Sequence, residues 1–149
     1  MAPQPKLHRT EDRVELHEQL AQVPLLAGLP DKVRRRLAEI GKRRRYPAGG
    51  TIIQEGEGGV AFYIVLSGSA RVEQHGDTIG TLGPGDFFGE LALIEEHPRS
   101  ATIVAVDETE TLGFTRWEFT ALLDEHPEIA VPMLHEQIRR SHRREHHGA

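Results

Sequence analysis

Gly85-Asp86-Phe87-Phe88-Gly89-Glu90-Leu91-Ala92-Leu93-Ile94-Glu95-Glu96-His97-Pro98-Arg99-Ser100-Ala101-Thr102-Ile103-Val104-Ala105 is the stretch around which the chain is organised. Glu90 follows a glycine at the head of a short helix-forming run, and Arg99 returns nine residues later, ahead of a strand-forming run. Gly85 and Gly89 let backbone approach a ligand closely, and a short helix opening at Glu90 would aim the free amides of Leu91 and Ala92 outward. Helix N-termini bind phosphate, and Arg99 brings a planar fork of donors to the same anion. Glu90 would repel a phosphate; its natural partner is a hydroxyl donor such as a ribose 2′-OH. The competing readings are a mutual surface ion pair for Glu90 and Arg99, and a strand-edge hydroxyl without ligand role for Ser100.

Around this stretch, glycine recurs at short intervals from Gly49 to Gly89 and separates runs of strand length. These runs are Arg43 to Tyr46, Thr51 to Gln54, Ala61 to Ser67, Ser69 to Gln74, Thr78 to Leu82, Ala101 to Val106 and Thr111 to Phe114. Short strands at such spacing argue for an antiparallel barrel or sandwich. Ala61 to Leu66 is continuously apolar, which predicts a central strand, and Ser67-Gly68 after it suits a tight hairpin.

Helices are expected on either side of the strands. Thr10-Glu11-Asp12 caps a run to about Gln22 with Leu16, Leu20 and Val23 on one stripe, and Pro30-Asp31 opens a second with Val33, Leu37 and Ile40 buried. Thr115-Arg116-Trp117-Glu118 reads as a capping box for a third helix carrying Phe119, Leu122 and Leu123. A last helix begins near Pro127 with Val131, Leu134 and Ile138; Pro132 either bends its first turn or marks where regular helix starts.

At 149 residues the chain fits one domain able to bury a core. It has no cysteine, so disulfides and thiolate metal sites are excluded, and it lacks any apolar run of membrane-spanning length. A soluble, cytoplasmic protein without membrane contact is expected. The net charge of −5 hides basic clusters at Lys32 to Arg45 and Arg139 to Arg144, which read either as a nucleic-acid surface or as solvated element faces. The nine histidines raise a metal-dependent cupin-type enzyme, but only His75 and His97 fall in the barrel region, and His142 with His146 lies on the tail. No catalytic and no metal-ligating residues are assigned.

The segment Phe88-Gly89-Glu90-Leu91-Ala92-Leu93, five residues, then Arg99-Ser100-Ala101-Thr102-Ile103-Val104-Ala105 closely resembles the phosphate-binding cassette of cyclic nucleotide-binding domains. A second signature of that family is present in Ile52-Ile53-Gln54-Glu55-Gly56-Glu57-Gly58-Gly59, Phe62-Tyr63-Ile64-Val65 and Gly68. The resemblance runs from about Pro24 to the C-terminus. It implies one domain over 1–149, mainly β with flanking helices: an N-terminal helical segment 1–41, an antiparallel β jelly-roll barrel 42–115 with the cassette at 88–102, and two C-terminal helices in 116–149. By the same resemblance Glu90 binds the ribose 2′-OH and Arg99 the cyclic phosphate. Amides around Leu91, Ala92 and Ser100 take the remaining oxygens, with Gly89 and Ala101 completing the binding segment. Val72 and Ile79 would line the base pocket.

The family often has Ala at the Ser100 position in cAMP sites and Thr in cGMP-selective ones, while bacterial cAMP-binding regulators of the catabolite-activator type can carry Ser. Ser100 therefore leans to cAMP as the ligand, with cGMP as the second choice and no cofactor implied. Ligand binding in the family draws the cassette inward, and the last helix closes over the base. Leu134, Ile138, Ser141, His142 and Glu145 are the lid candidates, ordinary packing on the barrel being the other reading of Leu134 and Ile138. The expected function is a non-enzymatic regulatory sensor that signals to an unidentified protein partner. Its alternatives are a degenerate interaction scaffold and the cupin-type enzyme. The tail after Pro127 is too short for a DNA-binding module, and Met1 with the character of both ends favours a complete chain. Arg139-Arg140 and Arg143-Arg144 would repel across a two-fold axis, so a monomer or weak dimer is expected.

Overall fold

Eight strands form between Lys42 and Thr115 in the computed structural model, which describes residues 9–94 and 97–146, with side chains described for 15–94 and 97–141. They are β1 (Lys42–Tyr46), β2 (Thr51–Ile53), β3 (Ala61–Ser67), β4 (Ala70–Gln74), β5 (Asp77–Leu82), β6 (Phe87–Phe88), β7 (Thr102–Ala105) and β8 (Thr109–Thr115). Two four-stranded antiparallel sheets result, ordered β1-β8-β3-β6 and β2-β7-β4-β5. The chain thus crosses between the sheets at every step except β4 to β5, in the jelly-roll manner, as expected.

Two local expectations change. β6 is too short to show an alternating pattern, yet Phe87 and Phe88 pair with Ile64 and Tyr63 and supply the edge of the first sheet. Ser67-Gly68 is not a hairpin, because β3 and β4 lie in different sheets. Gly68 turns the chain from one sheet to the other at φ +87°, and a Cβ there would sit 2.3 Å from the Glu108 carbonyl oxygen. Only glycine fits that crossing.

The continuous apolarity of β3 follows from burial on both faces. Phe62, Ile64 and Leu66 face a core shared with the helices α1 (Arg9–Leu20), α2 (Asp31–Ile40) and α3 (Arg116–Glu125). Phe62 stacks its ring 4.7 Å from Phe119 and 5.6 Å from Phe87. Val65, on the opposite face, joins Ala70, Phe88 and Ile103 in a smaller core inside the roll. The sheet is therefore the middle layer, with helices outside and a cavity continuing the inner core.

The capping box forms as read from the sequence. Glu118 N–H donates to Thr115 Oγ1 at 3.2 Å, and Thr115 N–H donates to the Glu118 carboxylate at 2.9 Å, so α3 leaves β8 in a fixed direction. After a 3₁₀ turn at Pro127–Ile129, α4 runs over Ala130–His146. Pro132 falls in its first turn, where a missing N–H breaks no intrahelical bond. No helix among the described residues is long and apolar enough to cross a membrane.

The basic run from Lys32 to Arg45 is laced into ion pairs: Arg35 with Asp31, Arg36 with Glu39 and Glu125, Arg45 with Glu108. Its centre is the buried Glu110 of β8, which accepts from Arg43 and from Gln19 of α1, both at 2.9 Å, and from Arg45 at 3.3 Å. Burial pushes the Glu110 carboxyl up, but the hydrogen bonds and charge from Arg43, Gln19 and Arg45 outweigh it and hold the group below its ordinary value of 4.5. A carboxyl depressed in the folded state contributes stability that is complete above its unfolded pKa and disappears as pH falls through the folded one. Denaturant unfolding of wild type between about pH 6 and pH 3 is expected to show stability falling with acid, and Glu110→Gln to flatten that fall. An equal acid slope in both proteins would remove Glu110 as its source.

Candidate functional site

Leu82, Val72, Ile53, Ile103 and Phe88 extend the inner core to the open side of the second sheet, where a cavity of about 690 Å³ begins. That volume suits a small organic ligand. Polar groups stand at its rim: Glu90, Arg99, Ser100 and Thr81, with Arg140 arriving from α4. Val72, Ile79, Gly89, Leu91, Ala92 and Ala101 also border it. The two halves of the stretch from Gly85 to Ala105 therefore converge on one space.

Arg99 is placed by the β2–β3 loop. Its backbone N–H donates to the Glu57 carbonyl at 2.8 Å, and its own carbonyl accepts from Gly56 N–H at 2.8 Å. The guanidinium Nη2 donates to the Ala61 carbonyl at 2.8 Å. Two glycines frame the same group. A Cβ on Gly59 would lie 2.6 Å from Arg99 Nε, and one on Gly89 would lie 3.0 Å from Nη1 and 2.7 Å from the Ala61 oxygen. Among the described residues no carboxylate pairs with Arg99; in particular Glu90 bonds elsewhere, so the mutual ion pair is not formed. One carbonyl satisfies one of five N–H donors, which leaves the rest of the fork with the chemistry to take an anion. Tyr63 stacks on Phe88 with centroids 5.0 Å apart, and burial pushes its phenol up against the opposing charge of Arg99 and Arg44.

Glu90 opens a 3₁₀ turn, Glu90–Leu93, after Gly89 in the left-handed region at φ +81°. Ala92 N–H closes on the Gly89 carbonyl at 3.1 Å. That engages one of the two amides expected to be free; a 3₁₀ turn leaves those of its first two residues, Glu90 and Leu91, outside its own bonding. Gln137 Nε2 of α4 donates to Glu90 Oε1 at 3.3 Å. The Ser100 carbonyl accepts from Gln74 Nε2 at 3.1 Å, which holds the residue after Arg99 to β4.

The face that α4 turns to the cavity is polar. Arg140 Nη2 donates to the Phe87 carbonyl at 2.7 Å, and its guanidinium sits 4.3 Å over the Phe87 ring. Leu134 and Ile138, expected at the lid, are 60% and 57% exposed, and neither borders the cavity. Ser141 is exposed as well, and the side chains of His142 and Glu145 lie outside the described residues. Leu134 and Ile138 share one helical stripe, whereas Gln137 and Arg140 occupy another. Among the described residues no three His, Cys, Asp or Glu groups gather as a metal cluster: His75 stands exposed at the β4–β5 turn, and His97 borders the cavity.

Residues 43–126 match the family model described as Cyclic nucleotide-binding domain. The chain belongs to that family. This cyclic nucleotide-binding domain is 40% identical over 113 residues to the Cyclic AMP receptor protein of Thermus thermophilus, covering 72% of this chain and 52% of that protein. It is 41% identical over 106 residues to a cAMP-dependent protein kinase regulatory subunit of Aspergillus niger, covering 70% and 26%. Among solved structures, cAMP-bound PfPKA-R matches with a TM-score of 0.75 at 32% identity, over 89% of this chain and 45% of that one. The cyclic nucleotide-binding domain spans from about a quarter to a half of the length of these curated relatives.

Within this cyclic nucleotide-binding domain, sequence reading missed Gly59, Gln137 and Arg140. Gly59 belongs to the quoted Ile52 to Gly68 signature, but its contact with Arg99 has no local trace. Gln137 and Arg140, three residues apart on a helix, carried a signal in that spacing.

Proposed function

We propose that this domain binds a cyclic nucleotide, foremost cAMP, in the 690 Å³ cavity and acts as a non-enzymatic regulatory module. The observation that carries this reading is the Arg99 guanidinium, framed by Gly59 and Gly89 and without a carboxylate partner among the described residues, beside a cavity that Glu90 also lines. An arginine fork takes the cyclic phosphate, together with the amides of Glu90 and Leu91; the acid takes the ribose 2′-OH; Val72 and Ile79 flank the base. The relatives named above are cAMP-linked, and Ser100 leans the same way. Occupancy is read out by α4, which hangs on the cassette through Glu90 and Phe87 and presents its outer face to a protein partner. Differential contact of ligand with two positions of α4 is what makes such a module a switch.

Titration calorimetry tests the binding. cAMP should bind saturably with Kd about 1 µM or tighter, corresponding to roughly −8 kcal/mol, and cGMP more weakly. Linkage then raises the melting temperature, the stabilisation being about 2.7 kcal/mol at a ligand concentration 100 times Kd. No heat and no thermal shift with either nucleotide would sink the reading in favour of an interaction scaffold that has kept the cassette.

A further inference from the structure

We infer, on the footing of the binding function proposed above, that Gln137 is a positioning residue for Glu90 that makes α4 part of hydroxyl recognition. Gln137 Nε2 reaches Glu90 Oε1 at 3.3 Å across 47 residues of sequence. An ionised carboxylate only accepts, and its two oxygens offer about four lone-pair sites. With Oε1 turned to α4, Oε2 remains to accept a hydroxyl from the cavity side. The donor is a neutral amide, so it orients the acid without neutralising it, and the acceptor strength toward a ligand hydroxyl is kept.

The helix that carries Gln137 is anchored beside it. One turn further along α4, Arg140 donates to the Phe87 carbonyl at 2.7 Å, covers the Phe87 ring and stands 3.8 Å from Asp86. The buried Glu136 lies 3.6 Å from Arg140 Nε and 2.8 Å from Arg139 Nη2, and fixes the root of this pair. Phe87 and Glu90 are separated only by Phe88 and Gly89. α4 therefore grips one short segment at two points, with Arg140 as anchor and Gln137 as the contact to the recognition acid. Amide, carboxylate and ligand hydroxyl form a chain of hydrogen bonds in which each member orients the next. Helix docking and hydroxyl recognition then strengthen each other.

The test is a cycle of two proteins and two nucleotides: wild type and Gln137→Leu, each titrated calorimetrically with cAMP and with 2′-deoxy-cAMP. Gln137 is only partly buried, and a melting curve checks that the variant is folded. Wild type should prefer cAMP about 10- to 100-fold, the range of one hydrogen bond to a charged group. Gln137→Leu should weaken cAMP about three- to tenfold and leave the 2′-deoxy ligand within twofold, so that the discrimination shrinks. Equal weakening of both nucleotides overturns the inference, because a merely structural side chain does not sense the 2′ position. Unchanged or tighter cAMP binding overturns it too, since Gln137 would then compete with the hydroxyl. Wild type that binds both nucleotides equally overturns the inference while leaving phosphate binding by Arg99 intact. Wild type that binds neither overturns the proposed function, and the inference falls with it.

Discussion

Arg99→Ala should weaken cAMP binding by about 2 to 5 kcal/mol, roughly 30-fold to several-thousand-fold in Kd. The proposed ligand phosphate would lose the arginine fork framed by Gly59 and Gly89 within a partly shielded cavity, and a charged group left without its partner costs more than the bond alone. Structural side effects of this change are small by comparison. Among the described residues the guanidinium makes one hydrogen bond, to the Ala61 carbonyl, while the Arg99 backbone stays clasped to Gly56 and Glu57. The folded baseline should therefore remain within about 1 to 1.5 kcal/mol of wild type. Calorimetric titration beside a denaturant melt separates the two effects. Binding as tight as wild type in the variant would show that the phosphate sits elsewhere.

Gly89→Ala should damage folding and binding together. At φ +81° an alanine pays the left-handed penalty, roughly 1 to 2 kcal/mol. Its Cβ would also sit 2.7 Å from the Ala61 oxygen and 3.0 Å from Arg99 Nη1, and overpacking of that kind adds about 1 to 3 kcal/mol. For a chain of this size the sum lowers the melting temperature by about 5 to 15 °C. The methyl also pushes on the guanidinium, so cAMP affinity should fall at least tenfold, the effect of about 1.4 kcal/mol. Gly76→Ala is the matched control: its φ is +86°, and nothing lies within 4 Å of the added Cβ. It should lose only the backbone portion of the stability, about 1 to 2 kcal/mol, and keep wild-type affinity. Equal affinities in both alanine variants would refute the framing role of Gly89.

Much of the architecture was legible because its determinants are local. Strand lengths, the glycine punctuation, the two-sided apolarity of Ala61 to Leu66 and the Thr115/Glu118 capping box are patterns within a few residues. The structure places them close to where they were read. β6 escaped because two residues cannot display a period. Gly68 was read as a hairpin because a glycine with positive φ serves a hairpin and a crossover between sheets equally well. The binding stretch was legible as a constellation, and Gly89, Glu90, Arg99, Ser100 and Ala101 do border one cavity.

By itself, the sequence determined which side chains carry the proposed chemistry: an acid after Gly89, an arginine before β7, and apolar strands to wall the space between them. Only the tertiary structure decided how those groups are held. Arg99 reaches the Ala61 carbonyl 38 residues away, Gln137 reaches Glu90 across 47, and Arg140 reaches Phe87 across 53. Such contacts leave no periodicity, since each depends on the sheet order bringing the β2–β3 loop under Arg99 and on the angle at which α4 returns over β6. The free amides shifted from Leu91 and Ala92 to Glu90 and Leu91 for a related reason: the turn closed as 3₁₀, and Ala92 N–H bonded the Gly89 carbonyl. The stretch from Gly85 to Ala105 names the proposed binding groups; packing of distant backbone and of α4 against it sets their directions.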